Sequence, residues 1–132
     1  MSFDDKTIDQ VLAMKTWAIV GLGNNPERAA FGVSKLLQDK GHRIVPVYPR
    51  AEMVHGEVGY KTLSEIPFPV DVVDCFVNSK LVGKVVDEAI EIGAKAVWLQ
   101  LDVIDSEAIA RAEAAGLLAI MDRCPAIEYR KR

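Results

Sequence analysis

The segment Gly21-Leu22-Gly23-Asn24-Asn25-Pro26-Glu27-Arg28 follows an apolar run and leads into a helical pattern, the context in which a glycine pair points to phosphate chemistry. Gly21 and Gly23 let the backbone come close to an anion. Free N–H groups of the loop and the helix start supply donors, and Arg28 adds a formal positive charge. The pattern is not a full G-x-G-x-x-G: Pro26 stands where the third glycine would be, which predicts a wider loop than a tight dinucleotide turn. A βα turn that needs glycine for geometry alone is the plainer alternative. About 20 residues further on, where an NAD-binding domain usually carries an acidic residue for the ribose diol, the chain has Tyr48-Pro49-Arg50. An arginine there favours a phosphorylated ribose, either the 2′-phosphate of NADP or the 3′-phosphate of coenzyme A. Glu52 keeps NAD open, and a merely solvated arginine is the bland alternative.

Groups able to move protons or electrons are few. Of the two histidines, His42 falls between the first core helix and the second strand, away from the glycine loop, and is expected at the surface. His55 follows the second strand with no Asp or Ser partner in sight to fix its tautomer. Cys75 sits in an apolar strand and reads as core, whereas Cys124 follows the last strand beside Arg123, whose charge favours a thiolate. Cys124 is expected either to pack or to form a mixed disulfide with a thiol ligand; a Cys75–Cys124 bridge is not expected, since their strands flank a third. Asp71 and Asp74 bracket one strand and Asp102 and Asp105 frame a helix start, where capping is the ordinary role. No second Cys or His stands at metal-ligand spacing.

The elements that must position these residues alternate. Trp17–Gly21, Arg43–Tyr48, Val72–Val77, Ala96–Leu101 and Leu118–Met121 are β-branched or aromatic runs without a polar alternate, as in strands of a parallel sheet covered on both faces. Glu57–Lys61 is a weaker sixth candidate. Helical spacing appears over Ala29–Lys40, Lys80–Ile92 and Asp105–Ala115, stopped by Gly41, Gly93 and Gly116, with a short turn at Leu63–Ile66. In the leading segment 1–15, residues 3 to 14 form an amphipathic pattern through Ile8, Val11 and Leu12, with Phe3 as a further member. Strands alternating with helices predict βαβ units and a doubly wound, Rossmann-like α/β sheet, with the ligand crevice at the carboxyl ends of the strands.

Composition narrows the classes. The 132 residues predict a single domain spanning 1–132; half are apolar, which excludes a disordered chain. Sixteen Lys and Arg against nineteen Asp and Glu leave a net charge of −3, with no basic block beyond Arg130-Lys131-Arg132, so no nucleic-acid partner is expected. No apolar run approaches the ~20 residues of a membrane span and the acidic start does not suit a signal peptide, so a cytoplasmic protein without a membrane partner is expected.

Val20–Arg28, Val45–Arg50, Val70–Phe76, Gly93–Leu101 and Gly116–Glu128 together resemble the successive signatures of the small single-domain CoA-binding protein family, over nearly all of Trp17 to Glu128. Met121-Asp-Arg-Cys-Pro-Ala-Ile-Glu128 is the most specific of them. The family is similar to the CoA-binding domain that opens the succinyl-CoA synthetase α-subunit. That resemblance implies a mostly parallel sheet of order 3-2-1-4-5-6, with Glu57–Lys61 as edge strand 3. It implies that Gly21, Leu22, Gly23, Asn24, Asn25 and Arg28 hold the pyrophosphate of coenzyme A or an acyl-CoA, and that Pro49 and Arg50 lie near the adenosine and its 3′-phosphate. Val77, Asn78 and Ser79, with Leu99 and Gln100, would line the crevice for the adenine or the pantetheine arm. The chain departs from the pattern at Val77, where many members carry Arg, at Tyr48, where Asn or Ser is usual, and at Asp102, where Gly is common; the changes at 77 and 102 reduce attraction for an anion. The expectation is a nucleotide-binding module rather than an enzyme. An NADP- or NAD-dependent oxidoreductase and a scaffold that has lost its ligand are the alternatives, and a homodimer is a further expectation.

Overall fold

The computed structural model describes residues 4–132, so Phe3, the further member of the leading amphipathic pattern, lies outside the described residues. Five apolar runs become strands: β1 (Thr16–Val20), β2 (Arg43–Val47), β3 (Val72–Cys75), β4 (Ala96–Leu99) and β5 (Leu118–Ile120). All pair in parallel, in the order β2-β1-β3-β4-β5. The helices are α1 (Asp5–Leu12), α2 (Ala29–Asp39), α3 (Ser79–Glu91), α4 (Ser106–Ala114) and α5 (Pro125–Arg130). This is a Rossmann-like α/β fold.

Successive strand residues face opposite sides of the sheet. Ala18, Val73, Val97 and Leu99 pack against Val82 and Val86 of α3 and Ile109 and Ala112 of α4. Trp17, Ile19, Val72 and Trp98 pack against Ile8 and Val11 of α1 and Leu37 of α2. Both faces are therefore buried, which is why the inner strand residues, Asp74 excepted, are apolar. The helix starts follow ordinary capping chemistry. Asp4 accepts from the Thr7 N–H at 2.8 Å, Asn78 from Lys80 and Leu81, and Asp105 from Ala108 at 3.0 Å, so Asp105 does cap a helix.

Three expectations change. The sheet has five strands rather than six, because the 57–61 segment is reduced to one parallel bridge between Val47 and Tyr60. Tyr60 donates to Pro46 O and Tyr48 to Tyr60 O, both at 3.0 Å, so the segment does lie beside β2. Pro46 has no N–H to return on that edge, and the ladder ends there. His42 is not a surface residue: it is 8% exposed, edge-on to Trp17, with Nδ1 2.7 Å from Met14 O and Nε2 against the Tyr129 hydroxyl. A carbonyl only accepts, so Nδ1 carries the proton; burial lowers the ring's proton affinity, and neutral Nε2 accepts the one Tyr129 proton in place of Leu12 O, 3.2 Å from the same hydroxyl.

The third change is α5, which the sequence did not suggest. It lies over α2 and the α1 side, and Arg132 ties its end down by pairing with Asp9 at 2.6 Å, Asp5 at 3.4 Å and buried Glu128 at 3.4 Å. Lys131 adds a bridge to Glu128. Two of the three terminal basic residues are thus engaged within the fold.

Candidate functional site

The order of the sheet turns between β1 and β3, and in open α/β sheets that is where a crevice opens at the carboxyl ends of the strands. Three cavities meet there, and Gly21 and Arg28 line all three. One of about 230 Å³ follows the glycine loop and adds Gly23, Asn24, Asn25, Tyr48, Arg50 and Glu52. A groove of about 480 Å³ runs from the end of β2 toward α3, past Pro49, Leu63, Val77, Asn78 and Leu81. The third, about 320 Å³, opens on the β4 side between Ala30, Val33, Phe76, Val77, Gln100, Val103 and Cys124.

The two glycines of the loop serve different purposes. Gly21 has φ +100°, and a Cβ there would lie 2.3 Å from Phe76 O, so the crossing of β1 and β3 demands glycine whatever the ligand. Gly23 has no such backbone demand. A Cβ on it would meet only side chains, Glu52 Oε1 at 2.9 Å and the Tyr48 ring at 3.2 Å, so its bareness keeps the floor of the loop cavity open.

Arg28 is the N-cap of α2 and makes no side-chain cap. Its guanidinium is exposed and has no hydrogen bond or ion pair among the described residues, leaving a full positive charge beside uncapped helix N–H groups. Arg50 is similarly exposed, its guanidinium 6.0 Å from the Tyr48 ring. The loop's own donors already take an anion: Glu52 Oε1 accepts from the Asn24 N–H at 2.9 Å. The Asn25 side chain accepts from Glu27 N–H.

Of the residues singled out by sequence, Gly21, Gly23, Asn24, Asn25, Arg28, Pro49, Arg50, Val77, Asn78 and Gln100 come together around these cavities. Leu22 and Leu99 are fully buried in the two halves of the core and line none of them. Ser79 donates to Asp102 O at 3.3 Å and accepts from Ile104 N–H at 2.8 Å, bracing the loop after β4. Asp102 has φ +67° and Asp122 φ +59°, and Asp102 N–H donates to the Asp122 carboxylate at 2.8 Å. The left-handed backbone at 102 is the conformation that glycine adopts most easily. Ala51 and His55 share it, so the four non-glycine left-handed residues among the described ones all sit in loops that leave carboxyl ends of strands.

Neither histidine lines a cavity. His55 faces Phe31 O through Nε2 at 2.8 Å and lies tilted against the Phe31 ring, centroids 4.3 Å apart, which makes it a brace between its loop and α2. Both cysteines are free thiols; Cys75 is buried, while Cys124 is half-buried at the start of α5 in the β4-side cavity. Among the described residues, no three His, Cys, Asp or Glu side chains gather as a metal site requires, and no helix is long and apolar enough to cross a membrane.

One polar group was read only as a candidate cap. Asp74 is not at a strand end facing water but fully buried in β3, with Oδ1 2.5 Å from the Gln100 amide and Oδ2 without a partner. Burial pushes its carboxyl up to about 8, against the opposing pull of the Gln100 hydrogen bond. The thiol of Cys75 is pushed up as well, by burial and then by the neighbouring Asp74 charge. The available signal was a carboxylate inside an uninterrupted apolar run, where such a residue is rarely placed without a role. Asp71, by contrast, accepts from Thr16 N–H at 3.0 Å and pairs with Lys95 at 3.4 Å at the opposite end of the sheet.

The chain has recognisable relatives. A family described as CoA binding domain matches residues 15–130. The uncharacterized protein YneT of Bacillus subtilis is 36% identical over 110 residues, covering 83% of this chain and 82% of its own length. The α-subunit of an ADP-forming acetate–CoA ligase II from Pyrococcus furiosus is 36% identical over 81 residues, 61% of this chain, which spans only 18% of that subunit. A hypothetical protein from Pyrococcus horikoshii has a solved structure that superimposes with a TM-score of 0.93 at 37% identity, over 98% of this chain and 92% of its own.

Proposed function

Because the chain belongs to the CoA binding domain family, we propose that the crevice binds coenzyme A or an acyl-CoA as a binding module, with no reaction step of its own. The observation that carries this reading is the convergence of three cavities on one unpaired arginine and one glycine loop. A ligand with a doubly charged centre and two long arms suits that shape. The pyrophosphate would take the N–H groups of Gly21–Asn25 and the start of α2, with Arg28 as counter-charge. Glu52, now on the Asn24 N–H, would yield that donor to a phosphate.

Arg50 supplies the second positive charge and would hold the 3′-phosphate, with the adenosine against Tyr48 and Pro49 in the β2-side groove and Val77 and Asn78 along its wall. The pantetheine arm would then run the other way, into the cavity that contains none of residues 47–52 and ends at Gln100 and Cys124. Leu22, Ser79 and Leu99 would act from behind, by holding the loop and strand ends.

Titration calorimetry with coenzyme A and dephospho-CoA tests this directly. A charge-assisted contact contributes roughly 1.5–3 kcal/mol, so coenzyme A is expected to bind about tenfold or more tightly than dephospho-CoA. Arg50→Ala should erase the difference, and Arg28→Ala should weaken both ligands alike. Equal binding of the two ligands by the unaltered protein would remove Arg50 from the site.

A further inference from the structure

We propose that Gln100, oriented by Asp74 from beneath, is a carbonyl-recognition group that donates its amide N–H to a carbonyl oxygen of the arm lying in the β4-side cavity. The inference rests on the coenzyme A reading. Its chemistry is a carbonyl acceptor, which can come from a pantetheine amide or from the thioester of an acyl-CoA.

Asp74 pairs in register with Ile19 of β1 and Trp98 of β4, so its strand neighbours are apolar. Arg28 at the start of α2 and Cys124 at the start of α5 line the cavity on that side. Within α5, Glu128 is engaged with Lys131 and Arg132. Cys75, next in the chain, points to the other sheet face. Among the described residues no ion pair reaches the carboxyl, and its one hydrogen-bond partner is Gln100.

Asp74 Oδ1 and the Gln100 amide are in hydrogen-bond contact, and the protonation of the carboxyl sets which amide atom must face it. A half turn of the Gln100 amide exchanges its oxygen and nitrogen, and a protonated Asp74 then donates to Gln100 Oε1. The neutral acid also leaves Oδ2, the only buried side-chain polar atom without a partner among the described residues, as a carbonyl oxygen rather than half of a charge. Gln100 is itself 5% exposed and lines the cavity, and its second amide atom is not among the buried orphans, so that atom opens on the cavity. In this arrangement it is the NH₂ group, set in a wall of Ala30, Val33, Val77 and Val103 that offers no acceptor side chain.

The arrangement depends on one proton. Above about 8, Asp74 ionises and requires a donor. The amide turns back, Nε2 donates to the carboxylate, and Oε1 faces the ligand's carbonyl, oxygen against oxygen. Affinity should therefore fall as pH rises through this window.

The test is calorimetric binding of coenzyme A and acetyl-CoA from about pH 6.5 to about pH 9.5, around the expected titration, by the full chain and two variants. Asp74→Asn presents a permanent N–H to Gln100 Oε1. It should keep the low-pH affinity throughout, while the unaltered protein weakens about five- to tenfold, the worth of one hydrogen bond. Gln100→Leu should bind weakly at every pH. Titration of the ligand's own groups is common to all three proteins and cancels in the comparison. A steeper fall for acetyl-CoA than for coenzyme A identifies the thioester as the carbonyl, and equal falls identify a pantetheine amide. Parallel profiles for the unaltered protein and Asp74→Asn, with both ligands bound, overturn this inference alone. If Asp74→Asn does not fold, a pH slope that survives in Gln100→Leu overturns it equally. Absence of binding by either ligand at any pH overturns the coenzyme A reading, and this one with it.

Discussion

Gly21 and Gly23 stand two residues apart in one loop, yet substitution should separate them. Alanine at 21 must adopt a left-handed backbone and meets Phe76 O, so Gly21→Ala is expected to lose about 2–4 kcal/mol, read as a lower urea midpoint. Gly23→Ala meets movable side chains and should hold its midpoint while weakening coenzyme A binding. Asp74 has an effect of its own on stability. The folded chain holds a proton that the unfolded chain releases above its ordinary value of 3.8, so stability falls as pH rises from there toward about 8. Each pH unit in that window is worth at most about 1.4 kcal/mol, and Asp74→Asn should flatten the slope and become the more stable protein at the alkaline end. At this scale the glycine loop, Arg28 and Arg50 were legible because charge and chain position suffice to mark them. Asp74 was not, because its neighbours Trp98 and Gln100 come from β4 and the residue that follows it, more than twenty residues on, and burial is a property of that assembly.

The strands and longer helices followed from periodicity, since a parallel sheet leaves an unbroken apolar run and each core helix a stripe with a stop. The edge of the sheet did not, because Pro46 acts on a neighbour rather than on its own strand. Helix α5 escaped because six residues are too few to show a period, although Pro125 at its first turn is an ordinary start signal. Its anchorage makes a prediction at this scale. Neutral His42 accepts from Tyr129, and burial holds its proton affinity below the ordinary 6.5, so stability present above 6.5 is lost as pH falls through the lower folded value. Urea unfolding of a Tyr129→Phe variant should show a loss of about 1 kcal/mol at neutral pH, and His42→Gln should remove the acid-side decline.

For the whole molecule, the three cavities around Arg28 mean that one ligand would brace both halves of the sheet at once. A ligand at a hundred times its dissociation constant adds about 2.7 kcal/mol, which for a domain this size raises the unfolding midpoint by roughly ten degrees. Coenzyme A should produce that rise in a thermal melt, and NAD and NADP should not; a rise with NADP alone would turn the reading toward a dinucleotide. The strand order bears on how this molecule is made. Of the five strands β1 leaves the ribosome before the others, and its partner β3 lies 55 residues behind it, as the Trp17–Val72 register shows. No ladder in the sheet is a hairpin, so no strand can pair with its successor until a whole crossover has been synthesised. A nascent chain that has emerged only as far as residue 70 leaves the β3-side edge of β1, with its backbone N–H and C=O groups, unpaired. Its dwell time in that state sets its demand for chaperones, and slowing translation of the segment that must be synthesised before Val72–Cys75 clears the ribosome should raise the fraction that aggregates.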